Sequence, residues 1–202
     1  MENAFAICEV YIDMKRLILI AICSALLFYV SGCGGEAPSD AVLSQIVADA
    51  ILSDNEDGYL GGECCGEGHK VLGTDISGDR LKVYALTMFG YYGFQNGMFI
   101  KVSGSGVIPA VMLFEKNGTD YSLLDIKYPV DGEGYAESIK QLFPLRYRVA
   151  ALNSDGYISK LKAQEMKYAE EYLKNIGREA IIGEFSDLNV VLLTDLGVSV
   201  YV

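Results

Sequence analysis

The sequence predicts an α+β domain in which an antiparallel β-meander packs on helices. Three observations predict it. An apolar stripe at helical spacing opens the domain, from Val42 to Ile51. Five extended, β-branched and aromatic runs follow, separated by short Gly- and Asn-containing turns. A second, longer helical stripe comes after them, from Ile158 to Ile176. Strands joined by tight turns pair antiparallel, and helices that flank such a run pack on its face.

The first helix starts at Ser39 or Asp40, either of which can cap it. Val42, Leu43, Ile46, Val47, Ala50 and Ile51 recur at i, i+3 and i+4, the spacing of a buried helix face. The acidic, Gly-rich stretch from Asp54 to Gly62 ends it.

Strands are predicted over His69–Ile76, Leu81–Tyr92, Met98–Val102, Ala110–Glu115 and Tyr121–Tyr128. Ser77-Gly78-Asp79 turns the chain after the first. Asn96-Gly97 and Asn117-Gly118 supply the positive φ that tight hairpins need. Ser103-Gly104-Ser105-Gly106 reads as a flexible loop. A helix followed by meandering strands resembles the cystatin-like arrangement, in which a sheet wraps a helix; likeness of layout carries no function with it.

Pro129-Val130-Asp131-Gly132 breaks the sheet. Asp131 reads as a turn or cap residue rather than a calcium ligand, because its acidic neighbours lack the dense spacing of a calcium loop. A short helix is predicted over Tyr135–Leu142, stopping before Pro144. Tyr135, Ile139 and Phe143 are four apart and share one face. The best helix runs over Ile158–Ile176, with Leu161, Tyr168, Ala169, Tyr172, Leu173 and Ile176 on its stripe and Gly177 at its C-terminal cap. Ala180–Phe185, Val190–Leu193 and Val198–Val202 read as short strands.

Residues 1–32 read as a leader, with Met14 an alternative start. Lys15-Arg16 precedes Leu17 to Val30, fourteen residues without a charge. A membrane-spanning helix needs about 20. Fourteen suits the apolar core of an export signal. The run ends in Val30-Ser31-Gly32-Cys33: an aliphatic residue, two small residues, then cysteine. This resembles the lipobox of bacterial lipoproteins. The resemblance implies cleavage before Cys33, lipidation of its thiol, and a protein held on the extracytoplasmic face of a cell membrane. Residues 33–40 then form a tether and residues 41–202 a single domain, large enough for a core without disulfides.

Net charge is −11. Lys15 and Arg16 against Glu2, Glu9 and Asp13 give the leader a net charge of only −1, which leaves −10 for the rest of the chain. A polyanionic surface repels phosphate backbones, which excludes nucleic acid as the natural partner. No phosphate-cradling glycine loop or dinucleotide fingerprint is present.

The chain has one histidine, His69. That excludes a zincin motif and any mechanism needing two histidines. A serine nucleophile would need only one, yet no Gly-x-Ser-x-Gly elbow occurs. The densest cluster is Glu63-Cys64-Cys65-Gly66-Glu67-Gly68-His69. If extended, it puts Glu63, Cys65, Glu67 and His69 on one face. Cys65, Glu67 and His69 are thus candidate metal ligands, and Cys64 with Cys65 a candidate redox pair. Against this, ligands two apart on a strand sit about 6.5–7 Å apart, and paired cysteines also serve as small apolar residues. Tyr91, Tyr92 and Phe94 lie near a hairpin tip, as a contact surface or as cross-strand pairs closing the sheet.

Glu67-Gly68-His69-Lys70-Val71-Leu72-Gly73, Ser103-Gly104-Ser105, Pro109 and Pro129-Val130-Asp131-Gly132 with Tyr135, Ile139-Lys140 and Phe143-Pro144 resemble an uncharacterised domain of Firmicutes surface proteins. That domain is found in lipoproteins and near membrane metallopeptidases of the BlaR1 type. The resemblance implies a place at the cell envelope and a sensing role, and brings no catalytic residues.

The residues together favour a lipid-anchored extracytoplasmic binding or sensing protein, with no catalytic activity and no cofactor. Its partners would be the membrane, through Cys33, and an envelope protein. Two alternatives stand beside this: a metal- or redox-handling lipoprotein using Cys64, Cys65 and His69, and an inhibitor of an envelope enzyme.

Overall fold

The structure is a computed structural model, described here for residues 37–184. The leader, Cys33, the strands expected at Val190–Leu193 and Val198–Val202, and Phe185 lie outside the described residues.

Helix α1 spans Asp40–Asn55, and the Ser39 hydroxyl accepts the Val42 N–H at 3.4 Å, as a capping serine should. Five strands follow: β1 Cys64–Ser77, β2 Arg80–Gln95, β3 Met98–Gly104, β4 Ile108–Asn117 and β5 Asp120–Lys127. Helices α2 (Tyr135–Leu142), α3 (Leu145–Leu152) and α4 (Ile158–Asn175) come next, then a short strand β6, Ile182–Glu184.

The hairpins form where the turn residues put them. Gln95 pairs with Met98 around Asn96 (φ 48°) and Gly97 (φ 82°), a two-residue turn with both central residues left-handed. The other Asn-Gly step is used one residue out of phase: Asn117 pairs with Asp120, and Gly118 (φ 68°) takes the first turn position.

Strand β2 is the axis of the sheet. β1 pairs with it along one edge, from Cys64↔Tyr92 to Ser77↔Arg80. The other edge is shared: β4 pairs with Arg80–Thr87 and β3 with Gly90–Gln95. β3 and β4 run the same way and follow one another like a single strand with a jog. The jog is Ser105–Val107, where a flexible loop was expected. Ser105 pins it, donating its N–H to the Phe89 carbonyl at 2.9 Å and accepting the Phe89 N–H on Oγ at 3.1 Å. The meander is thus β1, β2, the jogged β3–β4, and β5. β6 joins β3 in parallel, the one parallel pairing described.

Both faces of this sheet are covered, more than the single helix of a cystatin-like layout. α1 packs Val47, Ala50 and Ile51 on Leu81, Val83, Phe89, Met112 and Phe114. The opposite face carries the later helices. Ile139 and Phe143 meet Tyr84 and Val111, Leu161 meets Leu86 and Met88, and Ala169 and Leu173 meet Tyr92 and Phe99. Strand β2 must therefore be apolar on both sides, which is why Leu81–Tyr92 reads as a continuous apolar run rather than an alternating one.

α3 has no counterpart among the predicted elements. Its apolar residues Leu145 and Val149 face solvent and only Ala151 is buried, so no stripe announces it. α4 ends where Gly177 (φ 64°) closes it: Arg178 N–H reaches the Leu173 carbonyl at 3.0 Å and Gly177 N–H the Lys174 carbonyl at 3.2 Å. Among the described residues no helix is long and apolar enough to cross a membrane.

Candidate functional site

The site begins with three glycines. Gly66 and Gly68 of β1 and Gly90 of β2 leave the sheet bare beneath α4. A Cβ at Gly66 would crowd the Glu165 carbonyl, one at Gly68 the Leu161 carbonyl, and one at Gly90 the Glu165 carboxylate. The helix therefore settles onto the outermost strand at backbone distance. From there it projects Gln164 and Tyr168 over the strand's free edge, while α1 approaches β1 from the other face.

A polar cleft of about 350 Å³ opens along that edge between the two helices. Glu67 and His69 come from β1, Ser44 from α1, and Gln164, Lys167, Tyr168 and Glu171 from α4. Glu67 and His69 are two apart on an extended strand, so they share a face as expected. His69 Nδ1 lies 2.8 Å from Glu67 Oε2. His69 Nε2 lies 3.0 Å from the Ser44 hydroxyl. In the tautomer in which the carboxylate accepts from Nδ1–H, Nε2 is the acceptor and the Ser44 hydroxyl the donor.

The assembly is held from behind. Tyr168 donates its hydroxyl to Glu67 Oε1 at 3.1 Å. Burial pushes the Tyr168 phenol up, and the Glu67 charge and this hydrogen bond push it further, so it stays a donor. His69 N–H, an edge donor with no strand beyond it among the described residues, is taken by Gln164 Oε1 at 2.7 Å. The backbone and the ring of His69 are thus both fixed, while Ser44 sits exposed on α1.

The other candidate residues go elsewhere. Cys65 packs with the α1-side core and Cys64 with the cluster around Tyr92 and Phe99, because neighbours on a strand point to opposite faces. Neither joins His69. Both thiols are free and half-buried. Burial pushes Cys64 up to about 11, helped by Cys65 and Glu63, and burial also raises Cys65. The trio Cys65, Glu67 and His69 is not gathered, and among the described residues no three His, Cys, Asp or Glu side chains stand close enough to hold a metal. Glu63 instead accepts the Phe94 N–H at 3.3 Å and the Tyr172 hydroxyl at 3.4 Å.

The hairpin aromatics close the sheet. Tyr92 is buried with its hydroxyl on Glu165 Oε1 at 3.0 Å. Tyr91 packs edge-on against Phe89 and donates to the Glu56 carbonyl at 2.8 Å. Phe94 packs on Phe99 and carries the Arg178 guanidinium 3.4 Å above its ring.

No protein-family model, no curated protein and no solved structure matches this chain. The site therefore stands on its geometry.

Sequence reasoning reached His69 and Glu67 but missed their partners. Ser44 lies one place off the apolar stripe of α1, with nothing local to mark it. Glu165 did leave a signal. It occupies the middle of the four-spaced row Leu161, Glu165, Ala169, Leu173, and all four are buried. An acid in that row must find partners inside the fold. It finds Lys101 Nζ at 2.9 Å and Tyr92.

Proposed function

We propose that this protein is a lipid-anchored, extracytoplasmic binding protein whose ligand site is the polar cleft between α1 and α4. The observation that carries the binding reading is the pre-set polar lining at the β1 edge. A histidine oriented from two sides, with lysine, glutamate and glutamine side chains around it, faces an open cleft large enough for a small solute. The anchor reading rests on Val30-Ser31-Gly32-Cys33 after an uncharged run, and the envelope setting on the resemblance of Glu67–Pro144 to a surface-protein domain.

His69 is the only histidine, so its ring resonances report on the cleft without ambiguity. The domain titrated with the low-molecular-weight fraction of its own envelope should shift those resonances, and His69→Asn should abolish the interaction. Cys33→Ala should leave the precursor uncut or release the protein from the membrane. Unmoved ring signals would remove the binding reading. A membrane-bound Cys33→Ala protein of normal mature mass would remove the anchor reading.

A further inference from the structure

We propose that the cleft is also a catalytic site, in which Ser44 is a nucleophile toward small carboxylic esters and His69 is its base. This goes beyond ligand binding and departs from the non-catalytic expectation drawn from the sequence; it shares with the proposed function the open cleft and the oriented His69. The case is a matter of connectivity. A serine becomes a useful nucleophile when a base accepts its proton as it attacks, and the base works when a third group fixes its tautomer. All three are present in order: Ser44 Oγ to His69 Nε2 at 3.0 Å, and His69 Nδ1 to Glu67 Oε2 at 2.8 Å. Tyr168 and Gln164 add two further restraints on the carboxylate and the histidine backbone. The histidine and carboxylate are largely withdrawn from water, with 11% and 5% of their side chains exposed, whereas the serine faces outward where a substrate can reach it.

The nucleophile comes from a helix and the base from a strand, twenty-five residues apart, so no elbow motif marks the arrangement. The amide of Ser44 is inside α1, so charge on the attacked carbonyl oxygen must be met by side chains. Lys167 and Gln164 line the same cleft. Gln164 has its oxygen committed to the His69 N–H, which leaves its amide nitrogen as a donor. Esters are the first substrates to expect, because an alkoxide leaves more readily than an amine and His69, hydrogen-bonded to Ser44, can protonate it. In the step, Ser44 Oγ bonds to the acyl carbon and its proton passes to His69 Nε2. The C–O bond to the alcohol breaks, and the alcohol leaves with that proton. Water then attacks the acyl-serine, gives a proton to His69, and frees the acid as the proton returns to Ser44 Oγ. Ser44 and His69 are the catalytic residues; Glu67, Tyr168 and Gln164 position them.

The test uses a fluorophosphonate, with which Ser44 Oγ would form a P–O bond as fluoride leaves. Intact mass and peptide mapping of the protein should show one adduct, on Ser44. Ser44→Ala should abolish it without changing the melting temperature, since Ser44 is exposed. His69→Ala should lower the labelling rate by about 10²–10⁴-fold, and Glu67→Gln should lower it at least tenfold while moving the His69 ring resonances. Hydrolysis of 4-nitrophenyl acetate should fall with the same variants. Labelling elsewhere, no labelling, or a rate indifferent to His69→Ala overturns the proposal. The wild-type protein separates the two readings: binding of the envelope fraction without labelling removes catalysis alone, and labelling without binding removes the ligand-binding reading alone.

Discussion

Gly68 of β1 lies directly beneath Leu161 of α4, so close that a Cβ at position 68 would overlap the Leu161 carbonyl. The contact is backbone on backbone and has no flexible side chain to give way. It sets the height of α4 over the sheet, and so the reach of Gln164 and Tyr168 onto the edge of β1. Gly68→Ala should therefore destabilise the domain by about 1–3 kcal/mol through overpacking. Gly61, which has nothing within 4 Å, is the control: Gly61→Ala should be silent. Denaturant melts of the two variants decide it, and equal midpoints would show that the helix does not rest on that glycine.

Lys101 and Glu165 form an ion pair at 2.9 Å, with Glu165 wholly buried and Lys101 reaching in from a partly exposed position. Lys101→Met should cost about 3–5 kcal/mol at neutral pH, because it strands a buried carboxylate. Acidification should relieve part of that cost by protonating the acid.

The same carboxyl sets a pH dependence. Burial holds Glu165 above the usual carboxylate range, against the pull of Lys101 and Tyr92. The folded state then keeps a proton that the unfolded state has already released. Stability from this group is present below the unfolded value of about 4.3 and is lost as pH rises through the folded one. Glu165→Gln, which keeps a partner for Tyr92, should remove that slope. Asp75 contributes the opposite sign, its carboxyl being lowered by Tyr84 and Arg146, so the measurement is the difference between wild type and Glu165→Gln in urea melts from pH 4 to 8. Parallel curves would contradict the assignment.

Phe143 is buried against Tyr84, ring centroids 5.8 Å apart, and joins Ile139 on the sheet-facing side of α2. Phe143→Ala should cost about 3–5 kcal/mol. Asp131 caps only a short turn and makes no side-chain capping bond, so Asp131→Asn should leave the melt unchanged. A stable Phe143→Ala protein beside a destabilised Asp131→Asn protein would reverse the roles.

Cys64 and Cys65 should behave as half-buried, weakly acidic thiols. With Cys64 held at about 11, iodoacetamide should label the folded domain at pH 7.5 much more slowly than the urea-unfolded chain. Rapid labelling of the folded domain, or a vicinal disulfide forming on mild oxidation, would return these residues to the list of reactive groups.

Local chemistry made much of the fold legible. Ser39 caps α1, Asn96-Gly97 turns its hairpin, Gly177 closes α4, and α2 begins and ends at Tyr135 and Leu142 as expected. Each of these depends on residues within a few positions of one another. The illegible parts depended on distant ones. β1 starts at Cys64 rather than His69 because α4 and α1 clamp a glycine-rich segment that has little strand propensity of its own. β3 and β4 share one edge of β2 because Ser105 finds Phe89, which no turn rule foretells.

The site divides the same way. The sequence by itself determined only a condition: if residues 63–69 are extended, Glu67 and His69 share a face and Cys64 and Cys65 do not. That they are extended was decided by the helices packed on that segment. The tertiary structure alone decided that Ser44, twenty-five residues earlier, meets His69, and that Tyr168, one hundred and one residues later, meets Glu67. Periodicity says which face of an element is polar. Which polar face meets which is settled only when glycines let one helix settle onto an edge strand that another helix approaches from behind.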